Sequence, residues 1–496
     1  MKFDIDINGT NIIIKTDDRS VTSFFEYSYI GAKYNVYVKK YTKAEMRGTI
    51  YESKSTKNGI VTLTVKIGWG VFVLNTFKQY ISLDDRNKIL RSIYSDNYRS
   101  YPFNNLRDYQ NEDLLHVLKY KYGLYSVYTS YGKTQVIATL VNYAYNEMGK
   151  NTLILVPNSK CKDEIVKRCK DVFNIEIPSK DKLLNIINTS GVSASKRFKD
   201  DALLIETQKE LDEVKWILCD EVEYVVSPGG RKVLEMCRNS EVRYGFSGTA
   251  DKISGNMISF ANGITDVVKN NKSIIDYFGQ SLVFRSPMHL NIDLVSIRTS
   301  CFKDLAFDED DFSEDKNVYM SILNKIWMDD NVCKMITKLP SQYEKLFIPV
   351  NNLNSIISNW IDNYWKGVWK ILLISGAGYT YYDLSGESRG VSLDEACELI
   401  KNDEVDIIPG TSASYRALDL PGLTNILLIQ GVVAGVVLQS VGRVARGKNV
   451  NIIDLVPKPW RSIPIYNKGV KHRSNMIKEC YKYCNINSIT RDESEF

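Results

Sequence analysis

The sequence predicts an α/β chain: two tandem parallel-sheet domains preceded by a small α+β module. Three observations carry this. Between about residues 100 and 270 short apolar runs alternate with helical segments, and the same alternation returns from about 345 to 456. The first 98 residues instead alternate apolar and polar positions, with turn signals at Asn8-Gly9 and Asn58-Gly59, which argues short antiparallel strands. The chain of 496 residues, 44% hydrophobic, has length for about three domains, each with its own core.

In order along the chain, strands are expected over Thr10 to Ile14, Tyr34 to Val38 and Val61 to Ile67, then a helix from Leu83 to Tyr94. Bases and aromatics interleave here: Phe24, Phe25, Tyr27, Tyr29, Lys33, Tyr34, Tyr37, Lys39, Lys40, Tyr41, Lys43 and Arg47. Such a set suits phosphate contact and base stacking, with Lys39, Lys40 and Lys43 as the contacts; the alternative is an aromatic core with lysines outside. The next strands are expected at Leu124 to Tyr128, Thr152 to Val156, Leu203 to Ile205, Trp216 to Cys219 and Val242 to Phe246. The second series lies at Lys345 to Val350, Lys370 to Ser375, Val405 to Ile408, Ile426 to Ile429 and Val450 to Val456. The domains are therefore drawn as 1–98, 99–270, 271–456 and a basic extension, 457–496, which either contacts DNA or packs on the second sheet.

Charge is uneven. Residues 1–98 hold 15 Lys and Arg against 10 Asp and Glu, and residues 457–496 hold 8 against 4, so both ends are basic within a net +5. A polyanion touching the ends while the middle does chemistry fits that distribution, as do solvated lysines. The nine cysteines lack a C-x₂-C pair, and the three histidines stand apart from them, which argues against zinc and against a disulfide framework. No apolar run is long enough for a membrane span or signal core, so a cytoplasmic protein is expected.

Chemistry concentrates in three places. The run Tyr125 to Thr134 reads as a strand, a tight turn and then Gly132-Lys133-Thr134 opening a helix to about Asn146. Backbone N–H groups of Thr129, Ser130, Tyr131 and Gly132 would cradle phosphates, Lys133 would reach the terminal ones, and the Thr134 hydroxyl would hold Mg²⁺. The strand Trp216 to Cys219 delivers Asp220 and Glu221 to the same edge, the first to orient the Mg²⁺ shell and the second to polarise an attacking water. In the second domain, Gln439, Gly442, Arg443 and Arg446 form Q-x-x-G-R-x-x-R; two arginines on one helix face can neutralise a transferring phosphoryl.

The order of these motifs resembles the superfamily 2 helicases and translocases, within them the phage UvsW type, across about residues 100 to 456. Leu106 to Gln110 looks like the Q motif, with Gln110 reading adenine. Pro157-Asn158 and Thr207-Gln208 resemble nucleic-acid contacts, and Ser247-Gly248-Thr249 resembles the motif that couples hydrolysis to domain movement. Thr411 to Asp419 looks like motif V, with Thr411 on nucleic acid and Asp419 near the nucleotide; Gln439 joins the coupling set. The resemblance implies RecA-like domains, ATP and Mg²⁺, and an ATP-dependent helicase acting on branched or duplex DNA or RNA–DNA hybrids in phage recombination, repair and replication, expected to work as a monomer. The alternatives are a motor subunit of a restriction or transcription-release complex, and a non-catalytic nucleic-acid clamp. Three departures stand out: Glu223 where the family has His or Asp, Ala417 in place of a motif V glycine, and a phosphate loop without its first glycine.

Overall fold

The computed structural model describes residues 3–35, 40–96, 101–128, 131–192, 195–248, 257–260, 267–268, 272–279, 281–285, 290–300, 326–350, 356–375, 378–411, 422–428, 441, 449–458, 470–471, 473–475, 477–478, 481 and 484–496. Two compact units emerge, one of residues 1–127 and 131–285 and one centred on residues 286–496.

The first unit begins with the antiparallel strands β1 (Phe3–Asn8) and β2 (Asn11–Thr16), then the long hairpin β3 (Glu26–Asn35) and β4 (Lys40–Thr49), and a second hairpin, β5 (Tyr51–Lys57) and β6 (Ile60–Lys66). The order β1-β2-β6-β5 makes one sheet. Both predicted turns are present: Gly9 has φ 55°, and Asn58 and Gly59 have φ 51° and 81°, as a tight hairpin requires. Helices α1 (Gly70–Phe77) and α2 (Leu83–Ile93) cover this sheet. Ser82 caps α2 by accepting from the Asp85 N–H at 3.1 Å. Phe25 is fully buried and stacks on Phe77 at 5.3 Å, while Phe24 meets the same ring at 5.4 Å. These two rings are core, as the alternative reading of the aromatic run had it. For Tyr27 to Lys43, backbone strands are defined where described, and their side chains lie outside the description, as does the whole of Lys39.

The module does not stand alone. Trp69 donates its indole N–H to Asp276 at 2.6 Å, and β3 pairs with β12 (Met257–Phe260), so the first 98 residues share one compact unit with the next sheet.

That sheet is parallel throughout. Its elements run α3 (Asp108–Val117), β7 (Tyr122–Val127), α4 (Lys133–Asn142), β8 (Thr152–Val156), α5 (Ser159–Phe173), β9 (Leu184–Asn188), α6 (Asp201–Asp212), β10 (Trp216–Cys219), α7 (Val222–Val225), α8 (Pro228–Met236) and β11 (Val242–Ser247). After β12 and β13 (Val267–Val268) come α9 (Lys272–Phe278) and β14 (Ser281–Arg285). The spatial order is β14-β7-β11-β10-β8-β9, and β7, β8, β10 and β11 are buried along their whole length. Strands covered on both faces read as continuous apolar runs, which is why the sequence located them.

Two expectations change. Leu203 to Ile205 is not a strand but part of α6. The Asp200 carboxylate accepts from the N–H of Ala202 and Leu203, both at 3.1 Å, and starts a helix whose buried positions are Thr207 and Leu211. The strand of that region is β9 instead. The boundary after residue 270 also shifts, because β14 pairs with β7 and brings residues 272–285 into the first unit.

In the second unit, β15 (Asn291–Thr299), β16 (Leu346–Val350), β17 (Ile371–Ser375), β18 (Gly378–Tyr382), β19 (Ser388–Val391), β20 (Ile407–Thr411), β21 (Asn425–Leu427), β22 (Asn449–Pro457) and β23 (Asn485–Asp492) form one sheet in the order β19-β18-β17-β20-β16-β21-β22-β15-β23. It is parallel except for the antiparallel ribbon β17-β18-β19. The segment drawn as a C-terminal extension supplies the edge strand β23, and Arg473, fully buried, donates to Asp454 on β22 at 3.1 Å through Nε. It is part of the second sheet. The architecture is thus two RecA-like parallel-sheet units in tandem with a small α+β module at the start, as the sequence predicts.

Candidate nucleotide site

Strand β7 ends at Val127, ahead of the expected phosphate loop, β10 ends at Cys219, just before Asp220, and β11, ending in Ser247, lies between them. Ligands of parallel sheets sit at this carboxyl edge. Gly132 caps α4 with φ 90°, and a Cβ there would stand 2.7 Å from Gln110 Nε2. Only glycine meets both demands. The turn places Lys133 first in the helix, 8% exposed, with Nζ 2.7 Å from Glu221 Oε1. Burial lowers the Lys133 pKa, but the carboxylates of Glu221 and Asp220 outweigh it and hold the ammonium firmly charged.

The acidic pair is strained and crowded. Glu221 occupies the left-handed region at φ 47°, rare for a residue with a side chain, in the turn from β10 into α7. Burial, then the charge of Glu221, pushes the Asp220 carboxyl upward, and the same two causes act on Glu223. Asp220 is 8% exposed, and its Oδ1 has no hydrogen-bond partner among the described residues. A buried carboxylate oxygen of this kind is the donor a hard divalent cation takes. Among the described residues no three His, Cys, Asp or Glu side chains converge to hold a metal by themselves.

The Thr134 hydroxyl, the other expected Mg²⁺ ligand, donates to Glu164 Oε1 of α5 at 2.9 Å. Gln110 is turned to the loop: Nε2 donates to the Tyr131 carbonyl at 2.8 Å, and Oε1 accepts from the Arg107 N–H at 3.0 Å. In this arrangement both ends of its amide are engaged, one by the turn at Tyr131 and one by Arg107. Tyr131 is itself fully buried, with its hydroxyl donating to Asp113 Oδ2 at 2.8 Å. The loop is therefore tethered to α3 through side chain and backbone alike.

Ser247, fully buried, donates its hydroxyl to the Glu223 carboxylate. The glutamate standing where the resemblance expects His or Asp thus still joins the acidic segment to the end of β11.

Pro157 and Asn158 follow β8 at the same sheet edge, and Asn158 caps α5 by accepting from the Cys161 N–H at 3.0 Å. Thr207 and Gln208, expected as nucleic-acid contacts, lie on α6. Thr207 is 2% exposed and accepts from Arg197 Nε at 2.9 Å, and Gln208 Nε2 donates to the Met236 carbonyl at 2.9 Å. On α6 Thr207 is buried and Gln208 half-buried. Lys40 and Lys43 lie on β4 and Thr411 ends β20, with side chains outside the description. Thr129, Ser130, Thr249, Asp419, Gln439, Arg443 and Arg446 lie outside the described residues. Sequence reasoning passed over Glu164, Asp113 and the Glu223–Ser247 link; none carries a local signature, since each depends on which elements fold side by side.

No family model matches the sequence, and no curated protein does. Among solved structures the chain is similar to T4 UvsW at 16% identity, covering 99% of this chain and 100% of that one, with TM-score 0.39. It is similar to S. cerevisiae Dbp5 bound to RNA and ADP BeF3 at 11% identity, covering 86% and 94%, with TM-score 0.47. A third is the DUF1998 helicase MrfA bound to DNA and AMPPNP, at 14% identity, covering 77% of this chain and 52% of that one, with TM-score 0.45. The superfamily 2 and UvsW-type likeness expected from the motifs is thus met again among the solved structures. At these identities and scores it carries no weight for function, which rests on the residues.

Proposed function

We propose that the chain is an ATP-dependent DNA helicase or translocase that remodels branched DNA or R-loops in phage recombination, repair and replication. The observation that carries this reading is the buried Lys133–Glu221 ion pair at the carboxyl edge of a parallel sheet, beside a glycine-capped helix N-terminus. An ammonium and a carboxylate held face to face in a water-poor site are a resting state for phosphoryl chemistry. A triphosphate attracts Lys133 away from Glu221, and the freed carboxylate then polarises the attacking water.

The N–H groups opening α4 bind phosphate oxygens, aided by the partial positive charge of the helix terminus. Asp220 and the Thr134 hydroxyl would hold Mg²⁺, which supplies charge neutralisation at the β- and γ-phosphates when bound. Glu223 and Ser247 carry a change at the acidic pair into β11. In this proposal Arg443 and Arg446 neutralise the phosphoryl, Asp419 joins the nucleotide's surroundings, and Thr249 and Gln439 continue the coupling segment. Pro157, Asn158 and Thr411, with the basic run Lys39, Lys40 and Lys43, contact the DNA backbone.

The test is ATP hydrolysis by the full chain with single strands, duplexes, forks, four-way junctions and R-loops at stated salt. Stimulation greatest with branched substrates, abolished by Lys133→Ala, is expected. Equal hydrolysis with and without every nucleic acid would overturn the motor reading, and would leave only a nucleotidase.

A further inference from the structure

We infer that Glu164 is a positioning residue for the cation site: its carboxylate accepts the hydrogen bond of the Thr134 hydroxyl, so that the same oxygen presents its lone pairs to the divalent cation. The inference rests on the reading of the first unit as a Mg²⁺–nucleotide site.

Thr134 Oγ1 stands 2.9 Å from Glu164 Oε1. A hydroxyl has one proton and two acceptor lone pairs, so donating to Glu164 leaves its oxygen able to ligate a cation, and the acceptor fixes which way those lone pairs point. An ionised acceptor also makes the oxygen a better donor to metal. A second, independent observation marks the same place as a cation's: Asp220, more than nine-tenths buried, has an Oδ1 without a hydrogen-bond partner among the described residues. Helices α4 and α5 pack against each other, which sets Thr134 beside Glu164.

The acceptor is also held. Glu164 sits on α5, where the Asn158 side chain caps the start and Asn174, in the left-handed region, ends it with its N–H on the Cys169 and Lys170 carbonyls. Glu164 lies about 9 Å along the axis from the cap, at six residues of 1.5 Å rise. A rigid element thus carries both Glu164 and the Pro157–Asn158 loop. No other described group accepts the Thr134 hydroxyl's hydrogen bond at this site.

The experiment titrates MnCl₂ into the full chain with AMP-PNP, reading free Mn²⁺ by electron paramagnetic resonance. Wild type, Glu164→Ala and Glu164→Gln are compared, with circular dichroism to confirm folding. Glu164→Ala is expected to weaken Mn²⁺ binding by about tenfold, the lower end for loss of a partner behind a metal ligand. AMP-PNP affinity in EDTA stays unchanged. Glu164→Gln, whose amide oxygen still accepts the hydrogen bond, falls between the two. Equal Mn²⁺ affinity in wild type and Glu164→Ala overturns the inference, as does Glu164→Gln binding as weakly as Glu164→Ala. Wild type binding neither AMP-PNP nor Mn²⁺ would sink the nucleotide reading itself, a distinct result.

Discussion

Replacing Glu221 by Gln tests the chemistry at its centre. The Lys133 and Glu221 side chains are 9% and 13% exposed and their charged atoms are 2.7 Å apart. At that separation, with an effective dielectric near 20, the Coulomb attraction is about 6 kcal/mol before desolvation. Removing one partner of such a pair costs about 3–5 kcal/mol, because the other charge stays buried. Here the loss is softened. Glu221 is the leading charge pushing up the Asp220 and Glu223 carboxyls, so in Glu221→Gln those groups ionise more readily and take over as partners of Lys133. The variant should therefore fold and bind ATP, while turnover, which needs a carboxylate on the water, falls by about 10²–10⁴-fold. DNA-stimulated phosphate release and AMP-PNP binding are measured side by side. Retention of a tenth or more of wild-type turnover would refute the role given to Glu221, and loss of nucleotide binding would refute the compensation by Asp220 and Glu223.

Other expectations rest on single contacts. Gly132→Ala places a Cβ at φ 90° and 2.7 Å from Gln110 Nε2, so nucleotide affinity should fall sharply in a binding titration while circular dichroism is unchanged. Tyr131→Phe deletes the hydroxyl that reaches Asp113; a loss of about 1–3 kcal/mol in urea unfolding of the first unit is expected, with weaker AMP-PNP binding. Arg473→Ala leaves Asp454 buried without its guanidinium, costing the second unit about 3–5 kcal/mol by calorimetry, and nucleotide binding should not change. Ser247→Ala is expected to leave ATP binding intact and to lower unwinding more than hydrolysis, measured on a forked duplex.

What was legible in the sequence has a physical pattern. The parallel strands β7, β8, β10 and β11 are buried along their whole length and are mostly apolar in sequence, and the candidate residues come at or soon after their ends: Gly132 to Thr134, Pro157-Asn158, Asp220-Glu221 and Ser247. Edge strands were harder to find. β23 reads Asn-Ile-Asn-Ser-Ile-Thr-Arg-Asp, half-exposed and polar, and its place in the second sheet comes from pairing with β15 across nearly two hundred residues. Leu203 to Ile205 misled because three apolar residues in a row suit a strand or a helix equally; the Asp200 cap decides, and leaves Leu203 and Ile205 41% and 61% exposed. The partners of Gln110, Thr134 and Glu223 were illegible because each contact joins elements apart in the chain. Gln110 was assigned to adenine by likeness, and in this structure its amide bonds to the Tyr131 carbonyl and the Arg107 N–H.

The most direct measurement is a crystal structure of the chain with ADP·BeF₃ and Mg²⁺. The account predicts the fluoride group on the N–H groups of Gly132 to Thr134, with Lys133 Nζ moved from Glu221 onto it and Glu221 facing a water. A nucleotide bound elsewhere, or Lys133 still paired to Glu221 with the phosphates out of reach, would contradict it.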